Sequence, residues 1–294
     1  MIYNQRQLKI FKDVKKRTWL AQNRLREPYI KQFRNVLKNF FNNMGNKVKI
    51  AYSNRSLIEL DIELRKQSDQ LKRIFRVQYI TIASAFRDYA LGRFFVKDFD
   101  DEFNDRLEEF IDFNTATWIT EIDETTRKKI AKSIDRSYND GLSTEATGTA
   151  LRNFLIGMGI YRANLISRTE THRVASFANE AVAESMNIKG TVKEWVAIQD
   201  ERTRITHSIA SRQRVPLEGK FVVGGDLLKY PGDPMGSAGE TINCRCAVIY
   251  TTPWLLIRRK NMELIIGIVI GICICRSNDK YKWVSKIKGI IKKK

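Results

Sequence analysis

YRANLISRTETHRVASFANEAVAESM (161–186), followed after a short break by VKEWVAI (192–198), decides the fold class. In the first stretch Ala163, Ile166, Val174, Phe177, Ala178 and Ala181 recur at steps of three and four. That spacing is the apolar stripe of an amphipathic helix from about Tyr161 to Met186. In the second stretch the period shortens and β-branched and aromatic residues dominate, as in a strand. Downstream, Val215–Val223 reads as a short strand or hairpin, with Gly224-Gly225-Asp226 turning it. Tyr230-Pro231-Gly232-Asp233-Pro234 reads as a rigid loop, and Asn243-Cys244-Arg245-Cys246 feeds a last strand, Ala247 to Tyr250. Helices followed by a small antiparallel sheet make an α+β domain.

Upstream the chain is helical throughout. Leu8, Phe11, Lys15 and Trp19 share one helical face, and Pro28 is expected to break the run. Ile30, Phe33, Leu37, Phe40 and Met44 form a coiled-coil-like seam that Gly45-Asn46 is expected to end. Leu57, Leu60, Leu64, Gln67, Leu71, Ile74 and Gln78 repeat the spacing. These stripes read as core or partner contacts, and nothing here has catalytic spacing. Asp98, Asp100, Asp101, Glu102, Asp105, Glu108, Glu109 and Asp112 lack the oxygen-ligand pattern of a calcium loop. Phe99, Phe103, Leu107, Phe110 and Ile111 run among them at helical intervals, so they read as the acidic outer face of another helix. Asn139-Asp140-Gly141 is a turn, with Ser143 or Thr144 as cap of the next helix. The division that follows is a helical arm over 1–138, basic and then acidic, an α+β domain over 139–252, and a basic, partly apolar tail over 253–294.

Charge follows the same division. The 294 residues carry 52 Lys and Arg against 33 Asp and Glu, a net of +19. Residues 1–95 hold +14, 96–146 hold −7, 147–257 hold +3 and 258–294 hold +9. Basic ends suit a polyanionic partner (nucleic acid, an acidic protein surface or an anionic membrane) or are simply solvated helix faces. The N-terminus is charged from Arg6 onward with no apolar segment behind it, so a signal peptide is not expected and a reducing cytoplasm is. The run Leu264–Cys275 is shorter than the ~20 apolar residues of a membrane-spanning helix. The cationic end with Trp283, Ile287 and Ile290 suits packing on a capsid neighbour or, as a less favoured alternative, contact with a membrane surface.

Within 161–186, Glu170 falls in the middle of the apolar stripe and must find a positive or hydrogen-bonding partner, because unpaired burial costs several kcal/mol. Arg173 lies at the stripe's edge. His172 falls on the opposite side and is expected to be exposed.

An ordered set of motifs then carries a resemblance. It runs Arg162-Ala163, Ile166-Ser167-Arg168-Thr169-Glu170, Asn179, Trp195, Asp200-Glu201-Arg202-Thr203-Arg204 with His207, Tyr230-Pro231-Gly232-Asp233-Pro234, and Asn243-Cys244-Arg245-Cys246. Over about residues 140–250 the chain resembles the phage Mu F-like minor head proteins, also called head morphogenesis proteins. One departure bears on local turn geometry: where the family has a Gly-Gln turn after the histidine, this chain has Ala210-Ser211-Arg212-Gln213. The resemblance implies a minor capsid component of a tailed phage or prophage, bound to the portal and other capsid proteins. Head assembly, DNA packaging or DNA delivery would be its work, in the capsid interior or portal vicinity after assembly in the host cytoplasm. It implies no catalytic residues, and the motif residues read as structural. Any DNA contact by the basic arm would be non-specific and salt-sensitive.

Two sharper chemistries compete with that reading. His207, Cys244 and Cys246 are three of the ligands a structural zinc prefers, with Asp200 as a candidate fourth. The alternative is a buried cysteine pair beside a hydrogen-bonded histidine. Asp200, Arg202, Arg204 and His207 also group acid–base chemistry, as in a phage-borne nucleic-acid-processing enzyme or toxin. No second acidic motif or nucleophile completes such a site. A membrane-surface effector acting through the tail is the third class.

Overall fold

The computed structural model describes residues 5–54, 56–94 and 100–252. The tail beyond 252, with the Leu264–Cys275 run and its cationic end, lies outside the described residues. The described residues are mostly helical, with a small strand-bearing region after the long helices. Residues up to Ile188 together with Val192–Tyr250 form one compact unit.

Four long helices come first: α1 (Gln5–Ser53), α2 (Leu57–Phe94), α3 (Asp100–Asn139) and α4 (Thr144–Ser185). The expected break at Pro28 does not occur, and α1 runs straight through it. Proline removes one helical hydrogen bond and crowds the preceding turn. Here Pro28 and Arg24 both face solvent, so water can satisfy the freed Arg24 carbonyl. The buried Arg26 and Phe33 hold the helix on either side of the proline. Gly45-Asn46 does not end the helix either. Gly45 is a packing notch: a Cβ there would lie 3.1 Å from the Arg152 carbonyl oxygen on α4.

The α4 helix begins at the Ser143 cap, whose hydroxyl accepts from the Ala146 N–H at 3.2 Å, and continues unbroken past Tyr161. α1 lies antiparallel along it. Lys49 and Ser53 meet Gly148, Gly45 meets Arg152 and Ile156, Phe41 meets Gly159, and Arg26 meets His172. The N-terminal part of α1 reaches the sheet region, where Trp19 Nε1 donates to the Arg245 carbonyl at 2.8 Å and Lys15 pairs with Glu194. Phe33, Leu37, Phe40, Phe41, Met44 and Val48 are the buried face of α1. On α2 the stripe begins at Leu60; Leu57, in the first turn, is exposed. α3 buries Phe103, Leu107, Phe110 and Ile111, and Phe110 stacks on Phe177 of α4 at 4.1 Å. Its acidic face meets the basic arm where Arg76 pairs with Glu108 at 2.7 Å.

The strands follow α4: β1 (Val192–Val196), β2 (Arg214–Pro216), β3 (Phe221–Val223), β4 (Asp226–Leu228) and β5 (Ala247–Thr251), with short helices α5 (Ile205–Ala210) and α6 (Ala238–Thr241) between them. One sheet has the order β2-β1-β5, with β1 and β2 antiparallel in the register Lys193↔Val215. The stretch 215–223 is therefore divided between two sheets. Its second half pairs with β4 across Gly224-Gly225, whose φ values of +60° and +95° suit a two-residue hairpin turn.

Candidate functional site

The motif residues assemble into two buried clusters around α4, which is enclosed on nearly every face between Ser167 and Ala183. That enclosure corrects the expectation for His172. A helix covered on several sides has no solvent face, and His172 is buried against the guanidinium of Arg26. Because arginine only donates, His172 Nδ1 must accept, which places its proton on Nε2.

The first cluster centres on Glu170. Arg173 Nη1 donates to Glu170 Oε1 at 2.5 Å, Tyr79 of α2 donates to Oε2, and all three side chains are buried. Arg173 also donates from Nε to the Gly232 carbonyl at 3.1 Å, and its guanidinium lies 4.3 Å from the centroid of the Trp118 ring of α3. One ion pair thus joins α2, α3, α4 and the Tyr230–Pro234 loop. Gly232, at φ +83°, lets the loop approach α4, since a Cβ there would lie 3.2 Å from the His172 ring. Asp233 shapes the same loop by accepting from the backbone N–H groups of Lys229 at 2.7 Å and Met235 at 3.0 Å. Pro231 is buried beside it and Pro234 half-buried. Burial and the neighbouring Glu170 charge push the Tyr79 hydroxyl well above its ordinary pKa, so it stays a donor.

A second buried pair was not legible in the sequence. Lys193 Nζ donates to Glu180 Oε1 at 2.5 Å, and the Tyr250 hydroxyl donates to Oε2 at 2.7 Å. Burial raises the Glu180 carboxyl from 4.5 to about 7 despite the lysine. Lys193 sits in a strand buried from that residue onward, and only the tertiary fold brings α4 over it.

The second cluster gathers His207, Cys244 and Cys246, all buried. His207 Nδ1 lies 3.3 Å from Cys246 Sγ and 3.7 Å from Cys244 Sγ, while Nε2 lies 2.9 Å from Glu240 Oε2. Asn243, at φ +56°, donates its N–H to Thr169 Oγ1 at 3.1 Å and so fixes the start of the cysteine segment on α4. Trp195, fully buried, packs edge-on to His207 and Phe221. Arg26 brings a buried positive charge beside both thiols, and burial lowers its pKa to about 10. A cavity of about 20 Å³ adjoins the cluster, bordered by Ile198, Thr203, Arg204 and Asn243.

The remaining motif residues stand outside both clusters. Asp200 is held by Arg245, with Nη1 donating to Oδ2 at 2.8 Å and Nη2 to Oδ1 at 2.6 Å, and it accepts from the Arg202 N–H and the Thr203 hydroxyl. These bonds, Arg245 first, hold its carboxyl well below the usual range. Asp200 therefore faces Arg245, not the cysteines, and shares no partner with His207. Arg204 donates to the Ile242 carbonyl at 2.6 Å, Asn179 donates to Ala175 O at 2.8 Å, and Arg168 and Arg202 are exposed. The departure at Ala210–Gln213 resolves simply. Arg212 takes φ +82° itself, and the Gln213 amide brackets Val222, donating to its carbonyl at 2.7 Å and accepting its N–H at 2.9 Å.

Comparison with known proteins matches residues 125–249 to the family described as Phage Mu protein F like protein. These residues are similar to that family. Over 95 residues the chain is 36% identical to the minor head protein GP7 of Bacillus phage SPP1, covering 32% of this chain and 30% of that one. Over 89 residues it is 36% identical to the NAD(+)–arginine ADP-ribosyltransferase EFV of Enterococcus faecalis strain ATCC 700802 / V583, covering 29% of this chain and 18% of that one. The chain thus spans less than a third of either relative. No solved structure matches. The matched region begins inside α3, so Arg26, Trp19 and Tyr79, which complete its two clusters, come from helices outside it. Glu240 and Arg26 were missed in the sequence because neither has a periodic or motif signal; their roles depend on what folds against them.

Proposed function

We propose that this chain is a minor capsid protein of a tailed phage or prophage, acting in head morphogenesis through binding to the portal. The match of residues 125–249 to the Mu F-like family, with a minor head protein among the relatives, carries this reading. The geometry agrees with a binding role. Several charged motif residues are spent on internal ties: Glu170 on Arg173, Asp200 on Arg245 and Arg204 on a carbonyl. Two exposed apolar groups are available for neighbours, Ile205, Ile209, Val222, Leu227 and Met235 in the strand-bearing region, and Ile50, Leu57 and Ile58 where α1 meets α2. Assembly or packaging follows from portal attachment, and the basic arm adds sequence-independent contact with DNA.

Co-expression with the portal protein of the same locus, nuclease treatment and size-exclusion chromatography test this. Co-elution that persists well above physiological salt is expected, because apolar burial survives screening. A chain found instead only in nucleic-acid or membrane fractions overturns the portal reading. Among the described residues no helix is long and apolar enough to cross a membrane.

A further inference from the structure

Extended backbone places residues i and i+2 on one side of the chain. In Cys244-Arg245-Cys246 both thiols point inward and the Arg245 side chain points out to Asp200. A Cys-x-Cys segment is too tight for the usual metal-binding knuckle, but here, leaving the turn at Ile242–Asn243, it delivers two sulfurs to one buried point. His207, from α5, meets them there, and the donor atoms of all three residues lie within 4.8 Å of one another. A tetrahedral zinc ion, with Zn–S of about 2.3 Å and Zn–N of about 2.0–2.1 Å, requires its nitrogen and sulfur ligands to stand roughly 3.6 Å apart. The observed separations are 3.3 and 3.7 Å.

The surroundings support the same use. Glu240 against Nε2 favours the tautomer with its proton on that side, which leaves the Nδ1 lone pair facing the sulfurs. A carboxylate behind a ligating histidine is the usual outer shell of a zinc site. The Trp195 ring closes the site from one side, packed edge-on to His207. The adjoining 20 Å³ cavity has room for about one water and none for a substrate.

We propose that His207 Nδ1, Cys244 Sγ and Cys246 Sγ bind one zinc ion, with a water as fourth ligand. The ion would cross-link α5 to the segment entering β5, beneath α1, and would serve structure. Neither Asp200 nor His172 contributes, since Arg245 and Arg26 occupy them. A Cys–His–Glu nucleophile uses the same three residue types, but both sulfurs are buried and the adjoining cavity of about 20 Å³ is too small for a substrate.

The test is metal analysis of the purified full-length chain, together with cobalt(II) replacement. About one zinc per chain is expected. Cobalt should produce a thiolate-to-metal charge-transfer band and the intense visible bands of a tetrahedral ion. Cys244→Ser, Cys246→Ser and His207→Ala should each lower metal content at least tenfold, while Cys273→Ser with Cys275→Ser should leave it unchanged. Glu240→Gln should weaken affinity roughly 10–100-fold, as outer-shell losses do. The cobalt spectrum is read on unsubstituted protein, so misfolding of a variant does not blunt the test. A chain that takes up neither zinc nor cobalt overturns the proposal. So does zinc that survives all three ligand substitutions, or rapid alkylation of Cys244 that depends on His207 in metal-free protein.

Discussion

Gly159 and Gly157 sit two residues apart in α4, and replacing each with alanine should move stability in opposite directions. In a helix interior alanine is better than glycine by roughly 0.5–1 kcal/mol, because glycine loses more backbone freedom on folding. Gly157 is exposed and an added Cβ meets nothing within 4 Å. Gly157→Ala should therefore realise the whole gain, raising Tm by about 2–3 °C at the ~2–4 °C per kcal/mol of a chain this size. Gly159 faces α1, and a Cβ there would lie 2.7 Å from Phe41 Cγ and closer still to Phe41 Cβ. The obstructing atoms are the stiff root of a buried ring, so the helices must move apart. Overpacking costs about 1–3 kcal/mol, and contact with the ring's root places this case near the top of that range. Subtracting the propensity gain leaves a net loss of about 2 kcal/mol, so the two variants should differ by roughly 3 kcal/mol, or about 6–12 °C. Thermal melts and urea titrations of the full chain would measure it. In a Phe41→Ala background the penalty at Gly159 should shrink but not vanish, because alanine removes the ring and keeps the Cβ that lies nearest. Equal melting of Gly157→Ala and Gly159→Ala would refute the packing of α1 on α4 at this crossing.

Other consequences are equally specific. Glu170→Gln or Arg173→Met alone should cost about 3–5 kcal/mol, because each strands a buried partner, and the double variant should cost less than the two losses added together. A double-mutant cycle in urea measures that difference, and simple additivity would show that the pair is not coupled. Glu180 has a folded pKa raised from 4.5 to about 7, so between those values the folded chain holds a proton that the unfolded chain has lost. Its stabilising effect is thus greatest below 4.5 and is lost as pH rises through 7. The wild-type stability should fall across that window relative to Glu180→Gln, and parallel pH profiles would contradict the assignment. Arg212→Gly should raise stability by about 1 kcal/mol, since glycine takes a φ of +82° without the Cβ clash. Denaturant melts reading no gain would show that Arg212 is not strained there.

Much of the architecture was legible because periodicity is a local property. The stripe on α1 from Phe33 to Met44, the stripe on α2 from Leu60 to Leu71, the turn at Asn139–Gly141 and the change of period at Val192 each need only neighbouring residues to be read. Glu170 could be assigned to the interior for the same reason, since its angle on the helix follows from its own sequence. Local reading failed where a distant element set the outcome. A helix wheel gives His172 a solvent side only if one face of the helix is free, and α1 covers that face with Arg26. Pro28 and Gly45 carry breaker signals that packing on α4 overrides, the first by facing solvent and the second by admitting a close neighbour.

The site divides in the same way. Sequence alone fixed which residue types stood near one another along the chain, and so named Cys244, Cys246 and His207 as a set and Asp200 as a companion. Only the tertiary structure could show that the 244–246 segment turns both sulfurs inward while carrying Arg245 out to take Asp200 away. The physical reason is reach. Motif and period describe a chain's own geometry over a few residues, whereas the partner of a buried charge or thiol is chosen by whichever helix or strand the whole fold lays against it. Here that choice brought Arg26 and Tyr79 from helices outside residues 125–249 to complete both of that region's clusters.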